Sequence, residues 1–341
     1  MTMKNKLLPN PLVWLLVLLL PTACHKSGDD PVAIAVPSCT LNSYTTITEE
    51  TGLRQTDTGQ FDFSADNRLI SRTETSEDLG SSARSSKTLT AYTYDSRGFL
   101  IESIESRTSK YASGGSSSTS ITSFAYTNDR LTKAIHKNTS SGTTDTVTET
   151  FAYDGQGKLA LYTSKSESGG STYNTVYTFS GGLLTSVNSA GRELYQFENG
   201  RIMESTDGTL RYEYDGQGRR IRYTYTGPTF KSVETYEYES TGQRVESTYP
   251  QWQFKGVPYQ PIRALYDTGN DLVKRVTRTS ESNGKVTSVE ETTYAYQLNP
   301  KGYPLSQTKK RTASYTDPTG TYPSVTRTST TTSQFTYRTC D

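Results

Sequence analysis

The chain has 341 residues with 36 basic and 35 acidic side chains, so its formal net charge is +1 and no field of one sign favours nucleic acid. Hydrophobic residues make up 32%, against a usual ~45–50%, and the 25 tyrosines supply much of that share. A chain this long can bury a large core, but it lacks the aliphatic side chains to fill one. Thin or hollow architectures are therefore favoured.

The first residues have the pattern of a secretory signal peptide that ends before a cysteine. Lys4 and Lys6 precede an apolar run from Leu12 to Leu20, which is too short to span a bilayer permanently. The small residues before Cys24 resemble the bacterial lipobox, and this resemblance implies cleavage before Cys24, lipidation of its sulfur and acylation of its new amino group. An ordinary signal peptide with a chance cysteine is the alternative. Several acyl chains would give a stable membrane anchor without a spanning segment.

The residue after the cysteine bears on the location of the protein. His25 stands where the resemblance to inner-membrane lipoproteins would require aspartate, so the outer membrane is favoured. The segment Ser27–Asp30 partly resembles surface-export signals, which leaves open whether the protein faces the periplasm or the cell surface.

With Cys24 lipidated, two cysteines remain, Cys39 and Cys340, at the two ends of the mature domain. In an exported chain they are predicted to form a disulfide, with two free thiols as the alternative. In the chain-entropy model, a closed loop of about 300 residues would stabilise the fold by roughly 5 kcal/mol. The bond would also place the first and last strands side by side.

A hairpin pattern repeats along the mature chain. Its three clearest copies are Tyr92–Phe99, Phe151–Lys158 and Tyr212–Arg219. Aromatic residues at positions i and i+2 face one side of a strand, Asp suits the first position of a type I turn, and the closing Gly suits a left-handed bulge position. With looser copies included, the repeats start about 17 to 32 residues apart. Together with the Gly-containing return turns they indicate roughly twenty strands and no helix after the signal.

The Tyr-x-Tyr-Asp-x-x-Gly-Arg pattern resembles the YD repeat of the RHS and teneurin proteins, whose repeats build a curling β-sheet shell. It also resembles that of small exported lipoproteins described as having a porin-like barrel. The great length, autoproteolytic end and C-terminal toxin of RHS proteins are absent. The resemblance therefore implies a shell-like sheet and not toxin delivery.

One stretch interrupts the repeats. Between Tyr249 and Pro261 the chain has three prolines and Trp252, the only tryptophan after the signal. Proline excludes this stretch from a central strand, so a long loop is predicted, and such loops often carry function. Tyr249, Trp252, Phe254 and Tyr259 are the candidate ligand-binding residues. The alternative is that they fold inward as a plug or cover an edge.

No pattern indicates an enzyme. His25 and His136 do not form a pair, there is no cysteine cluster for a metal, and no nucleophile elbow or phosphate loop occurs, so no cofactor or metal is expected. The aspartates Asp95, Asp154 and Asp215 are explained as turn formers. A pair of carboxylates that meets only in space, as in a glycosidase, stays open.

Two other functions are disfavoured. Charged residues interrupt the apolar rows that a membrane-spanning porin needs, such as the row of alternate residues from Val147 to Tyr153. Arginines and tyrosines interleave between Arg211 and Tyr225, but cross-strand pairing with Glu213, Glu234, Glu237 and Glu239 explains them better than nucleic-acid binding.

The sequence thus predicts an all-β protein made of a signal peptide (1–23), a lipidated tether (24–38) and a single β-repeat domain (39–341). The domain is predicted to be an antiparallel meander curled into a large barrel or shell, with an open single-layer sheet or β-solenoid as the alternative. The predicted function is non-catalytic binding of a glycan or protein partner at the outer membrane. A purely structural envelope component is the rival.

Overall fold

The chain is described by a computed structural model. The structure describes 39–50, 53–78, 84–111, 114–140, 142–168, 170–240, 255, 271–317, 319 and 323–340. The predicted signal peptide, the tether with Cys24 and the candidate ligand residues Tyr249, Trp252, Phe254 and Tyr259 lie outside these residues.

All regular structure in the described residues is β. No helix there is long and apolar enough to cross a membrane. The strands, numbered in chain order, are β1 Cys39–Glu50, β2 Leu53–Phe63, β3 Leu69–Asp78, β4 Arg84–Tyr94, β5 Leu100–Tyr111, β6 Gly114–Thr127, β7 Arg130–Ser140, β8 Thr143–Tyr153, β9 Leu159–Ser168, β10 Ser171–Ser180, β11 Leu183–Ser189, β12 Arg192–Glu193, β13 Tyr195–Glu198, β14 Arg201–Ser205, β15 Leu210–Tyr214, β16 Arg220–Thr226, β17 Phe230–Tyr238, β18 Val273–Ser282, β19 Lys285–Leu298, β20 Pro304–Tyr315 and β21 Val325–Cys340.

The strands form one antiparallel meander that curls until its ends meet. Strands adjacent in the chain pair from β1 to β12 and from β13 to β21, and β21 also pairs with β1. Among the described strands, one seam is left without a ladder, where the chain passes from β12 through Leu194 into β13. There Leu194 bridges: its N–H donates to the Val187 carbonyl (2.8 Å), and its carbonyl accepts from Thr206 N–H (3.0 Å). The predicted barrel of roughly twenty strands is therefore confirmed as a nearly closed barrel of 21.

The first and last strands meet in the register that the predicted disulfide requires. Cys39 lies directly opposite Cys340 in the β1–β21 ladder. Residues paired in this way have Cα atoms about 4.5–5.5 Å apart, which is within the range that a disulfide spans. The bond itself stays a prediction.

The repeated turns have the conformation that the sequence predicts. Asp95 N–H donates to the Phe99 carbonyl (2.9 Å), Gly98 N–H donates to the Asp95 carbonyl (3.0 Å), and Asp95 Oδ1 accepts from the N–H groups of Arg97 and Phe99 (2.9 Å each). Gly98 has a φ of 85°, the left-handed value that Gly adopts without strain. The turns beginning at Asp154, Asp215 and Asn299 repeat this hydrogen-bond pattern.

Neighbouring repeats interlock through tyrosine and arginine. The hydroxyl of Tyr214 donates to the Ile202 carbonyl on the preceding hairpin (2.9 Å), and the Arg201 guanidinium lies 5.8 Å from the centre of the Tyr214 ring. Tyr94 with Arg68 and Tyr153 with Arg130 form the same pair of contacts. The second aromatic residue of each repeat thus ties its hairpin to the one before it.

Because the strands form a meander, alternate turns lie at opposite ends of the barrel. We call the end with the turns at Asp95, Asp154, Asp215 and Asn299 the repeat end, and the opposite end the mouth. Along each strand the more buried side chains alternate with more exposed ones, and we call these two faces the inner and outer faces.

Candidate functional site

The apolar core lies toward the repeat end. One cluster joins β7 to β16 and includes Leu131, Phe151, Leu184, Ile202 and Tyr212; a second joins β1, β2, β3 and β21. Tyrosine and phenylalanine supply much of this packing, because the chain has few aliphatic residues. The core therefore fills the barrel near the repeat end. Between the core and the mouth, the inner face carries mainly polar residues.

Above this core, the inner face of β1 to β5 carries a buried charged cluster. Tyr44 OH donates to Glu74 Oε1 (2.5 Å), and Arg72 forms an ion pair with the same carboxylate. Burial, then the charge of Glu74, raises the pKa of Tyr44, and burial raises the pKa of Tyr92 to about 12. Burial also raises the pKa of Glu105, on the next strand. Such a network holds the wall of a barrel together without aliphatic packing.

A second inner-face network surrounds the one histidine of the described residues. Thr122 Oγ1 lies 2.9 Å from His136 Nδ1, His136 Nε2 lies 3.0 Å from Glu149 Oε2, and Tyr162 OH donates to the other oxygen of Glu149. Burial, followed by the charge of Glu149, raises the pKa of Tyr162. The sequence does not indicate these partners of His136, because they lie on neighbouring strands.

The order hydroxyl, imidazole, carboxylate is also that of an acyl-transfer triad. Here the hydroxyl residue Thr122 is only 8% exposed, and Glu149 is 7% exposed. The buried positions give a substrate little access, and each polar atom is occupied within the sheet. The network is best explained as a structural brace across β6 to β9. The sequence shows only which face of its own strand each of Thr122, His136 and Glu149 occupies. It does not show the register between the strands, which decides whether the three side chains meet.

The mouth has a different character because its aromatic residues are exposed. Among the described residues, all the exposed phenylalanine and tyrosine side chains lie there: Tyr111, Tyr173, Phe230 and Tyr315. All four are also on the inner face. Each ring is an even number of residues from a buried residue of its own strand, so the two share a face. The pairs are Tyr111 with Ser109, Tyr173 with Tyr177, Phe230 with Ser232, and Tyr315 with Ala313.

Polar and basic groups accompany these rings. The Arg84 guanidinium lies 5.0 Å from the centre of the Tyr111 ring. Hydrogen bonds to Tyr111, first from Ser109 and then from Arg84 and Ser116, lower the pKa of its phenol. Near Tyr315, Arg311 forms a two-pronged ion pair with Glu290 (2.7 Å for each bond). The mouth thus presents flat apolar rings beside fixed hydrogen-bonding groups.

Neighbouring rings reinforce one position of the mouth. Phe230 packs against Tyr225 with ring centres 6.0 Å apart.

Sequence reasoning missed the mouth as a site, because the four exposed rings belong to different strands and no motif joins them. Counting alternate residues from the buried positions of each strand would have placed them on one face.

The predicted ligand loop has one described residue, Lys255. Its Nζ lies 3.3 Å from the Arg97 carbonyl and 4.4 Å from the centre of the Phe99 ring, at the repeat end. The turn residues Asp95, Asp154 and Asp215 are engaged by their own turns, in agreement with their predicted structural role. Among the described residues, no group of three or more His, Cys, Asp or Glu side chains could hold a metal ion.

Comparison with known proteins gives a loose likeness. No family model matches the chain, and no curated protein matches it, so the YD-repeat similarity stays a resemblance. A porin-like protein from Bacteroides uniformis is 15% identical with a TM-score of 0.38, and covers 89% of this chain and 98% of its own. A porin-like protein from Bacteroides vulgatus is 11% identical with a TM-score of 0.28, covering 88% and 99%. Superpositions this loose carry no argument about function or location.

Proposed function

We propose that the chain is a non-catalytic, lipid-anchored barrel protein of the outer membrane that binds a glycan at its mouth. The observation that carries the proposal is the placement of Tyr111, Tyr173, Phe230 and Tyr315. They are the exposed aromatic residues of the described chain, and they share one face and one end of the barrel.

A sugar ring has an apolar face bounded by hydroxyl groups. An exposed tyrosine offers an apolar ring for that face and a hydroxyl at its edge. The guanidinium of Arg84 beside Tyr111 adds donors that would fix the orientation of the sugar. A protein partner would use the same rings together with Leu53 and Val325, the large aliphatic residues that the described chain exposes at this end of the inner face. Three of the four rings carry a hydroxyl and Arg84 adds donors beside them, so a glycan is the better match.

The location is part of the proposal and rests on Cys24 as a lipid anchor. A strand that faces lipid needs an apolar outward row. The outer face of β7 carries Lys133 and Lys137, and that of β8 carries threonines from Thr144 to Thr150. The row from Val147 to Tyr153, whose charged residue was the sequence argument against lipid contact, lies on the inner face. Contact of the outer face with water is supported instead by the lysines and threonines on that face. Whether the barrel faces the periplasm or the cell surface depends on its export.

The test is binding of the purified full-length protein to an array of bacterial and host oligosaccharides. Replacing Tyr173 and Tyr315 by Ala should weaken binding by about twofold to tenfold for each ring, because an aromatic contact contributes about 0.5–1.5 kcal/mol beyond its buried area. Leu89→Ala and Val289→Ala are matched controls, since these side chains are similarly exposed on the outer face. No binding to any oligosaccharide, or equal losses in the controls, would reject the proposal in favour of a structural component.

A further inference from the structure

A groove on the outer face of β14 to β17 has the chemistry of a second binding site. It is lined by Glu204, Gly208, Thr209, Arg211, Glu213, Arg222, Thr224, Thr226 and Lys231. The inner faces of the same strands hold Tyr212 and Tyr223, which pack into the core with ring centres 5.2 Å apart. The groove therefore opens on the face opposite the rings of the mouth, although Gly208, Thr209 and Lys231 lie at the same end of the barrel.

The wall is thinly paired at this place. Strands β14 and β15 have five residues each, and Glu204 opposite Arg211 is the one position of their ladder. The turn between these strands includes Gly208, whose φ is 70° and whose Cα has open space around it. Short strands joined by one paired position leave a hollow that a fully paired sheet would close.

The groove carries three cations, Arg211, Arg222 and Lys231, against two carboxylates, Glu204 and Glu213. The register sets Glu204 opposite Arg211 and Glu213 opposite Arg222. Nevertheless, within the part of the chain that the structure describes, none of these three cations forms an ion pair.

Arginines on the strands that follow behave differently. Arg275 pairs with Glu237, Arg278 with Glu234 (3.3 Å), and Arg311 with Glu290 (2.7 Å). The sequence predicts that Glu234 and Glu237 pair with the arginines between Arg211 and Tyr225, but among the described residues both carboxylates form their ion pairs with arginines of β18 instead. Its three cations and two carboxylates give the described lining of the groove a net positive charge.

The lining selects the class of ligand. Among the described residues, no aromatic or aliphatic side chain lines the groove, so this lining does not suit an apolar peptide or a lipid chain. Three threonine hydroxyls, from Thr209, Thr224 and Thr226, and the two carboxylates can bond to sugar hydroxyls. The planar forks of Arg211 and Arg222 suit a carboxylate or sulfate group.

We propose that this groove binds an acidic sugar unit of a polysaccharide, with Arg211 and Arg222 on its carboxylate or sulfate group. The site is independent of the mouth, because it is formed on the opposite face and uses charge instead of aromatic stacking. A chain that touches both sites would be held by two different chemistries.

The test measures binding of the full-length protein to a heparin-derived oligosaccharide, an oligogalacturonate and a neutral dextran oligosaccharide. The first two should separate a sulfate from a carboxylate ligand, and either would support the site. Arg211→Gln with Arg222→Gln should lower affinity for the bound acid at least tenfold, and added salt should weaken the wild type more than this variant.

Lys133→Gln with Lys137→Gln is the matched control, because it also removes two positive charges from the outer face and should leave affinity within about twofold. The mouth variant Tyr173→Ala should also bind the acidic oligosaccharide normally, which keeps failure of this site distinct from failure of the mouth. Equal losses in the lysine control, no binding of either acid, or equally tight binding of single-stranded DNA of matched charge would overturn the proposal.

Discussion

Replacement of Gly218 by Ala tests whether the repeated turn works as described. Gly218 has a φ of 79°, and a Cβ built there would overlap the guanidinium of Arg201. A left-handed conformation costs an L-residue about 1–2 kcal/mol. Moving Arg201 off the ring of Tyr214 costs about another 0.5–1 kcal/mol. The free energy of unfolding should therefore fall by about 1.5–3 kcal/mol.

Gly216→Ala, in the same turn, is the control. Its φ is not in the left-handed region, and an added Cβ there would meet nothing within 4 Å. Alanine lowers the conformational entropy of the unfolded chain. Gly216→Ala should therefore leave the free energy of unfolding unchanged or raise it by up to about 0.4–1 kcal/mol. The assay is denaturant unfolding followed by circular dichroism. Equal destabilisation by the two substitutions would refute the account of the turn.

Three further predictions concern the sheet. Tyr214→Phe should cost about 0.5–1.5 kcal/mol in denaturant unfolding, because it leaves the Ile202 carbonyl without its donor, whereas the exposed Tyr173→Phe should be neutral. A non-reducing digest should recover Cys39 and Cys340 in one linked pair of peptides, and two free thiols would remove the covalent closure of the barrel. Alkaline titration followed by phenolate absorbance should show Tyr111 among the first phenols to ionise. The buried tyrosines have raised pKa values, so their contribution to stability is complete below pH ~10 and is lost as the pH rises above it; stability that stayed constant in alkali would contradict this.

The repeat and its turns were predictable because their determinants are local. An Asp at the start and a Gly near the end fix each turn within five residues, as at Asp95 and Gly98. Alternating aromatics fix which side chains share a face. The pairing of the first and last strands was also predictable, but only from the placement of Cys39 and Cys340 at the ends of the domain.

The sites were not predictable in the same way because they depend on register between strands. Glu149 meets His136 along a diagonal of the sheet, and one residue of slippage would separate them. The seam arises because β12 pairs with β11 over only two residues before the chain passes through Leu194 into β13. No sequence motif marks this change of partner. The loop with Trp252 lies outside the described residues, so its predicted role in binding stays a prediction.

The central claim is that binding takes place at the mouth and not at the repeated turns. Tyrosine nitration, mapped by mass spectrometry, tests it most directly. Among the described tyrosines, Tyr111, Tyr173 and Tyr315 should react first, and an oligosaccharide that binds should protect these three. Tyr94 and Tyr153, which donate hydrogen bonds at the repeat end, should react slowly with or without it. Equal reactivity of both sets, or protection confined to Tyr94 and Tyr153, would contradict the account.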